Sequence, residues 1–478
     1  MTYHDKAKNK AKNKAKIAII LVPAIGASNL YPNGKKNGNS GYAPDYAWLM
    51  RIYMKDSQAI ANDLRKNALK WKPWTGDSSG WNQVHQGTYQ AFLQDCQTYS
   101  QFPFEPLVYA IGYNFFQSNL KSADTILQRT EQILKESKAD GFIYITHSMG
   151  ALPVRAAFRK VEFDRRLQKL DEQHDNPSFS FIEPLGNLVY QKCIGVIHVA
   201  APNLGAPEAY LRFHRGVSRE NAGLAERFVL GKDGFGFTVQ SCFIPSMCEI
   251  LPVGQYANET IESANPNKSG IYALHNSLLK LAEDSLDKSK TGFDGINGLD
   301  KEVCLRSLEQ NLHNAHSFHD FLGDYIFPRT KVVVLLGNKT VQSVTTKLEP
   351  RFTYDDGEET FDDGDGTVTE KSQKAYVENE DIREITPNNK KLTHGSPFKE
   401  LGKTEGVFDA IYDLLIDLFK THQTKINFNS DEFDSTLSSQ SFSLGMDKQP
   451  IFVNGEKVIF DKAVATTPVT IEPKTTHR

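Results

Sequence analysis

The stretch Gly-Phe-Ile-Tyr-Ile-Thr-His-Ser-Met-Gly, Gly141 to Gly150, joins a short apolar run to a serine two residues ahead of a glycine. Phe142 to Ile145 carries the β-branched and aromatic side chains of a buried strand, and Ala151 to Lys160 has a helix-forming composition. Ser148 therefore falls on a tight strand-to-helix turn. Such a turn holds a serine in a strained backbone conformation and pushes its hydroxyl out of the sheet, where a base can reach it. A serine that merely caps a helix at a strand end has the same local pattern, so the rest of the chain must decide between nucleophile and cap. Thr146 stands where the G-x-S-x-G pattern has its first glycine, and Gly150 keeps the second. A branched residue at the first place has to be absorbed by a shifted helix or a small neighbour.

A serine nucleophile needs a base and an acid that orients it, and elbow-bearing enzymes carry them in the order serine, acid, histidine. Of thirteen histidines, only His394, His422 and His477 follow an acidic loop that comes after a late strand. His422 trails an apolar helix face of Ile411, Leu414, Leu415, Leu418 and Phe419 and reads as a solvated helix end. His477 lies in the tail. His394, in Leu-Thr-His-Gly-Ser-Pro-Phe, occupies a loop before that helix, from which a mobile imidazole can swing over the elbow. The acid comes from Phe361 to Val368, after the strand Lys331 to Gly337. Asp365, between two glycines, is the first choice because flexible backbone on both sides lets a buried carboxylate turn inward and hold the imidazole tautomer. Asp362 and Asp363 compete with it. A solvated or calcium-binding acidic loop is the rival reading, although the EF-hand spacing with its closing glutamate is not met. By position, the oxyanion donors are the amides of Met149 and of Ile25, in the loop Pro23 to Ser28 after the strand Lys16 to Val22. An ordinary turn that needs Gly26 for its φ angle explains the same loop.

Six blocks occur in one order: Pro-Ala-Ile-Gly-Ala-Ser-Asn-Leu from Pro23, Val-Tyr-Ala-Ile-Gly-Tyr-Asn from Val108, Thr-His-Ser-Met-Gly, His-Val-Ala-Ala-Pro-Asn-Leu-Gly-Ala-Pro from His198, Pro-Ser-Met-Cys-Glu-Ile-Leu-Pro from Pro245, and Gly-Asp-Gly-Thr-Val from Gly364. That succession, across Ile17 to about Thr421, resembles the lecithin:cholesterol acyltransferase and GPI-inositol-deacylase-like branch of the α/β-hydrolases. The resemblance implies a serine esterase acting on acyl esters of lipids, probed through a transient membrane contact, without cofactor or metal, with Ser148, Asp365 and His394 at the family's triad positions. The block Gly-Tyr-Asn-Phe-Phe-Gln-Ser-Asn at Gly112 to Asn119 further resembles antibacterial phospholipase effectors of type VI secretion. That likeness implies a secretion-spike partner, an immunity protein and a periplasmic target. Thr146, and Pro23-Ala24 where Pro-Gly is commoner, depart from the family pattern. Those departures leave a noncatalytic binding module as the alternative, and an acyltransferase or thioesterase would use the same triad.

Composition agrees with an α/β enzyme of 478 residues built as one elaborated domain. A net charge of -3 gives no general attraction to nucleic acid, and no apolar run approaches the roughly 20 residues of a membrane helix. Residues 1–16 read as a disordered basic tail; their resemblance to a signal peptide founders on the short apolar run, which is needed as the first core strand. The expected hydrolase domain spans 17–425, with insertions at 31–87, 158–189 and 211–322 as cap or lid candidates. Within the last, Phe235 to Val253 forms either an acyl groove or a simple buried cluster. Residues 426–478 are a polar tail with a hairpin signal around Asn454-Gly455. Five cysteines without metal-ligand spacing indicate no disulfide framework, with Cys242 and Cys248 left as a pair in an oxidising compartment.

Overall fold

The computed structural model describes residues 14–35, 57–173, 186–216, 234–261, 272–287, 299–346, 357–388, 392–422, 451–453 and 456–458. Most of the basic start, part of the 31–87 insertion, the middle of the 158–189 insertion and most of the tail, including His477, lie outside them. Six strands form one sheet: β1 (Lys16–Val22), β2 (Glu105–Ala110), β3 (Gly141–His147), β4 (Cys193–Val199), β5 (Thr330–Leu335) and β6 (Ile382–Ile385). Their spatial order is β2-β1-β3-β4-β5-β6, and every neighbouring pair is parallel.

Parallel strands covered on both faces bury consecutive residues, and β1, β3 and β4 do so almost throughout. Alternate side chains serve opposite faces. Ala18, Ile20, Val22, Phe142 and Tyr144 join Ile126, Leu127, Ile133 and Leu134 of α2 (Asn119–Ser137) and Leu152 and Ala156 of α3 (Ala151–Gln173). Ile17, Ile19, Leu21, Ile143 and Ile145 pack instead with Phe92 and Leu93 of α1 (Gln86–Thr98) and Ile411, Leu414 and Leu415 of α4 (Val407–His422). The chain leaves β1 toward β2 and leaves β3 in the other direction, toward β4. The carboxyl ends of β1 and β3 thus flank a topological switch point, where open α/β sheets hold their ligands.

The apolar stretch Phe235 to Val253 turns inward. Phe237, Val239, Ile244 and Leu251 are buried in the same cluster as the α2 and α3 face, with Phe235 and Phe243 partly covered. All five cysteines are buried free thiols, so Cys242 and Cys248 are not paired. Among the described residues, no helix is long and apolar enough to cross a membrane.

Glu249 ties this insertion to the core. Its carboxylate accepts from the Ser118 hydroxyl at 2.5 Å, and from the amide and side chain of Asn119 at 2.7 and 2.8 Å, at the positive end of α2. Burial outweighs these bonds and pushes its pKa from 4.5 up to about 7. The folded state therefore binds this proton more tightly than the unfolded chain, and the site's contribution to stability falls as pH rises from 4.5 through about 7. Glu249→Gln, neutral throughout, is expected to gain about 1–3 kcal/mol on wild type between pH 5 and pH 8 in urea unfolding.

Candidate active site

Ser148 follows the last residue of β3 and opens a single 3-10 turn, Ser148–Gly150, that runs into α3. Its φ is +53°, a left-handed value that costs an L-residue roughly 1–2 kcal/mol. Close packing makes the turn possible: a Cβ on Gly150 would lie 2.5 Å from the Pro23 carbonyl oxygen and 2.8 Å from that of Val22. Gly150→Ala is expected to cost about 1–3 kcal/mol in chemical denaturation, because the elbow must move off the loop after β1. Thr146 is accommodated differently from the glycine it replaces. It is fully buried, and its hydroxyl meets His198 Nδ1 at 2.7 Å on the directly paired residue of β4. Burial lowers the His198 pKa to about 3, so this partner is a neutral imidazole.

The structure brings Ser148, Asp365 and His394 together from segments far apart in the chain. His394 Nε2 lies 2.7 Å from Ser148 Oγ, and His394 Nδ1 lies 2.7 Å from Asp365 Oδ2. Asp365 is fully buried, and its other oxygen accepts from the amides of Thr367 at 2.9 Å and Val368 at 2.8 Å. Its remaining lone pairs being taken, the carboxylate can present only Oδ2 to the imidazole. Asp362 and Asp363 are exposed. Asp363 Oδ1 accepts from the amides of Gly337 and Gly364, and Asp362 Oδ1 accepts from the amide of Asp363, so both organise the turn that leads to Asp365. Among the described residues, no three His, Cys, Asp or Glu side chains converge as a metal-ligand set.

The loop that carries His394 is tied down by hydrogen bonds, in contrast to the swinging imidazole expected from its place in a loop before the last helix. The His394 amide donates to the Asp365 carbonyl at 2.9 Å, the His394 carbonyl lies 2.8 Å from His147 Nε2, and Thr393 and Ser396 close a turn on each other. Asn338, just beyond β5, donates to the Leu392 carbonyl and to the Gly364 carbonyl, joining the acid loop to the histidine loop. His422 is the last residue of α4, as its helix pattern implies.

Of the two amides chosen by position, that of Met149 is the second of the 3-10 turn, among the first helical amides, which have no intrahelical acceptor. Ile25 precedes Gly26, whose φ of +74° turns the loop after β1. The Ala24 amide is already used, donating to Tyr89 Oη at 2.8 Å. Tyr89 and His147 were not singled out by the sequence. The residue before Ser148 lies in the strand pattern, and only the folded chain reveals what its ring touches.

No family model matches the chain, and no curated protein matches it. Among solved structures, a chain in the crystal structure of the Tle4–Tli4 complex is similar, with a TM-score of 0.57 at 14% identity, covering 85% of this chain and 99% of that one. With its parallel sheet flanked by helices and a serine on the strand-to-helix turn, this chain has the α/β-hydrolase fold.

Proposed function

We propose that the chain is a serine hydrolase that cleaves acyl esters of lipids, phospholipids foremost, through Ser148, His394 and Asp365. One observation carries the reading: a buried carboxylate, an imidazole and the elbow serine stand in a continuous line of 2.7 Å hydrogen bonds. A serine that only capped α3 would not need a histidine 246 residues away on its hydroxyl.

In this mechanism His394 Nε2 takes the Ser148 proton as Oγ attacks the ester carbonyl, while Asp365 holds Nδ1–H and stabilises the imidazolium. The amides of Met149 and Ile25 receive the negative charge on the former carbonyl oxygen. Collapse expels the alcohol, which takes the proton from His394, and water activated by the same imidazole releases the acid. An alcohol in place of water turns the site into an acyltransferase without any change of residues.

The likeness to a chain of the Tle4–Tli4 complex supports a further proposal, that this chain is an antibacterial effector with a protein partner that restrains it. Assignment to the lecithin:cholesterol acyltransferase-like branch rests on the ordered motifs. Delivery into a target-cell periplasm by a secretion spike follows from the effector reading. Fatty-acid release from vesicles of phosphatidylethanolamine and phosphatidylglycerol tests the lipid assignment. Wild type should release fatty acid and Ser148→Ala should not; an enzyme that hydrolyses short soluble esters but leaves the vesicles intact is not a phospholipase.

A further inference from the structure

Three hydrogen bonds outside the triad form one line from its base to the loop that carries Ile25. The Ala24 amide donates to Tyr89 Oη at 2.8 Å, Tyr89 Oη lies 2.9 Å from His147 Nδ1, and His147 Nε2 lies 2.8 Å from the carbonyl oxygen of His394. The two ends fix the outer links, because an amide N–H only donates and a carbonyl oxygen only accepts, and a neutral His147 ring then fixes the middle one. His147 must carry its hydrogen on Nε2 and accept at Nδ1. Tyr89 therefore gives its hydroxyl hydrogen to that nitrogen while its oxygen receives the Ala24 amide. A second proton on His147 would reverse this middle link and turn the Tyr89 hydroxyl hydrogen away from the ring. Burial, followed by the neighbouring His394, lowers the His147 pKa to about 3 and keeps the ring neutral.

Packing restricts the same groups. Tyr89 is fully buried and His147 is 2% exposed, and the Phe398 ring lies 5.5 Å from the first and 5.2 Å from the second. Phe398 stands four residues after His394, so the base loop is gripped through its backbone carbonyl and through this ring. The His394 amide is held separately by the Asp365 carbonyl. What the line through Tyr89 and His147 adds is a connection between the base and the loop after β1.

We infer that Tyr89 and His147 are positioning residues that fix the distance between the general base and the oxyanion loop, acting through the His394 carbonyl and the Ala24 amide. The inference rests on the triad reading proposed above. Neither side chain exchanges a proton with substrate. The placement they hold matters when charge develops on both the imidazole and the ester oxygen, which is in the transition state and not in the bound ester. Their loss should therefore appear in kcat and leave KM unchanged.

The test measures hydrolysis of p-nitrophenyl butyrate by wild type, Tyr89→Phe, His147→Phe, His147→Gln and the double variant Tyr89→Phe/His147→Phe. Rates are taken per active site titrated with an organophosphonate, so that misfolded protein does not count. Tyr89→Phe and His147→Phe should each lower kcat about ten- to a hundredfold with KM within about twofold. The double variant should be no worse than about threefold below the weaker single, since one connection can be broken only once. His147→Gln keeps a donor for the His394 carbonyl and should recover part of the loss, a rescue that a purely structural role does not give. Should His147→Phe fail to fold, Tyr89→Phe and His147→Gln carry the test. Wild-type kcat per titrated site in Tyr89→Phe, losses confined to KM, or losses that multiply in the double variant overturn the inference. Ser148→Ala separates the two levels: if it is inactive while the Tyr89 and His147 variants match wild type, only the coupling fails; if it retains activity, the triad reading itself fails.

Discussion

Ser148→Ala is expected to lower kcat/KM for a short-chain ester roughly 10⁵-fold or more, while the protein stays folded. The loss is large because, in the proposed mechanism, the hydroxyl oxygen forms the bond to the ester carbon, and the remaining parts can only orient water against the ester. Stability should hardly change, since alanine keeps the Cβ in the same left-handed backbone and gives up one hydrogen bond, to His394. Ser148→Gly offers an internal check. It removes the same hydroxyl and also relieves the positive φ, so it should be inactive yet more stable than Ser148→Ala by about 1 kcal/mol. Activity and stability moving in opposite directions at one position is the signature of strain held for function.

The second large effect is expected at Asp365→Asn, about a 10⁴-fold fall in kcat, and its cause is a tautomer. Asp365 Oδ1 is held by the amides of Thr367 and Val368, so an asparagine at this place keeps its carbonyl oxygen on those two donors. Its NH2 group then points at His394 Nδ1, which has to accept, and the imidazole hydrogen moves to Nε2. An Nε2–H imidazole cannot take the Ser148 proton. Asp362→Asn and Asp363→Asn, at exposed turn positions, should remain within about threefold of wild type. The contrast among three neighbouring aspartates therefore identifies the acid by kinetics alone.

Much of this arrangement is legible in the chain because it depends on local composition. The mostly apolar short runs at Ile17 to Val22, Phe142 to Ile145 and Cys193 to Val199 have the pattern of strands covered on both faces. Gly150 stays a glycine because two carbonyl oxygens crowd it, and Asp365 stands out by its flanking glycines. What escaped the reading depends on distant partners. α2 starts at Asn119, capped by Ser118, and the partner that holds this end is Glu249 from the 211–322 insertion, which no local pattern announces. β6 was missed because Ile-Arg-Glu-Ile exposes its two central charges at the sheet edge, where charge protects against pairing with other chains. The polar hairpin of Thr340–Thr346 and Gly357–Asp362, which delivers the acid loop, carries no apolar alternation strong enough to announce it. Thr146 looked like a defect of the elbow because its compensation, His198, sits 52 residues away on the next strand.

The most direct measurement is the site of covalent capture by a fluorophosphonate, mapped by peptide mass spectrometry in the folded wild-type protein and in His394→Ala. One adduct is expected, on Ser148, formed rapidly in wild type and at least about a thousandfold more slowly without the histidine. A folded wild-type protein that leaves Ser148 unmodified, or reacts at the same speed when His394 is gone, contradicts the proposed mechanism.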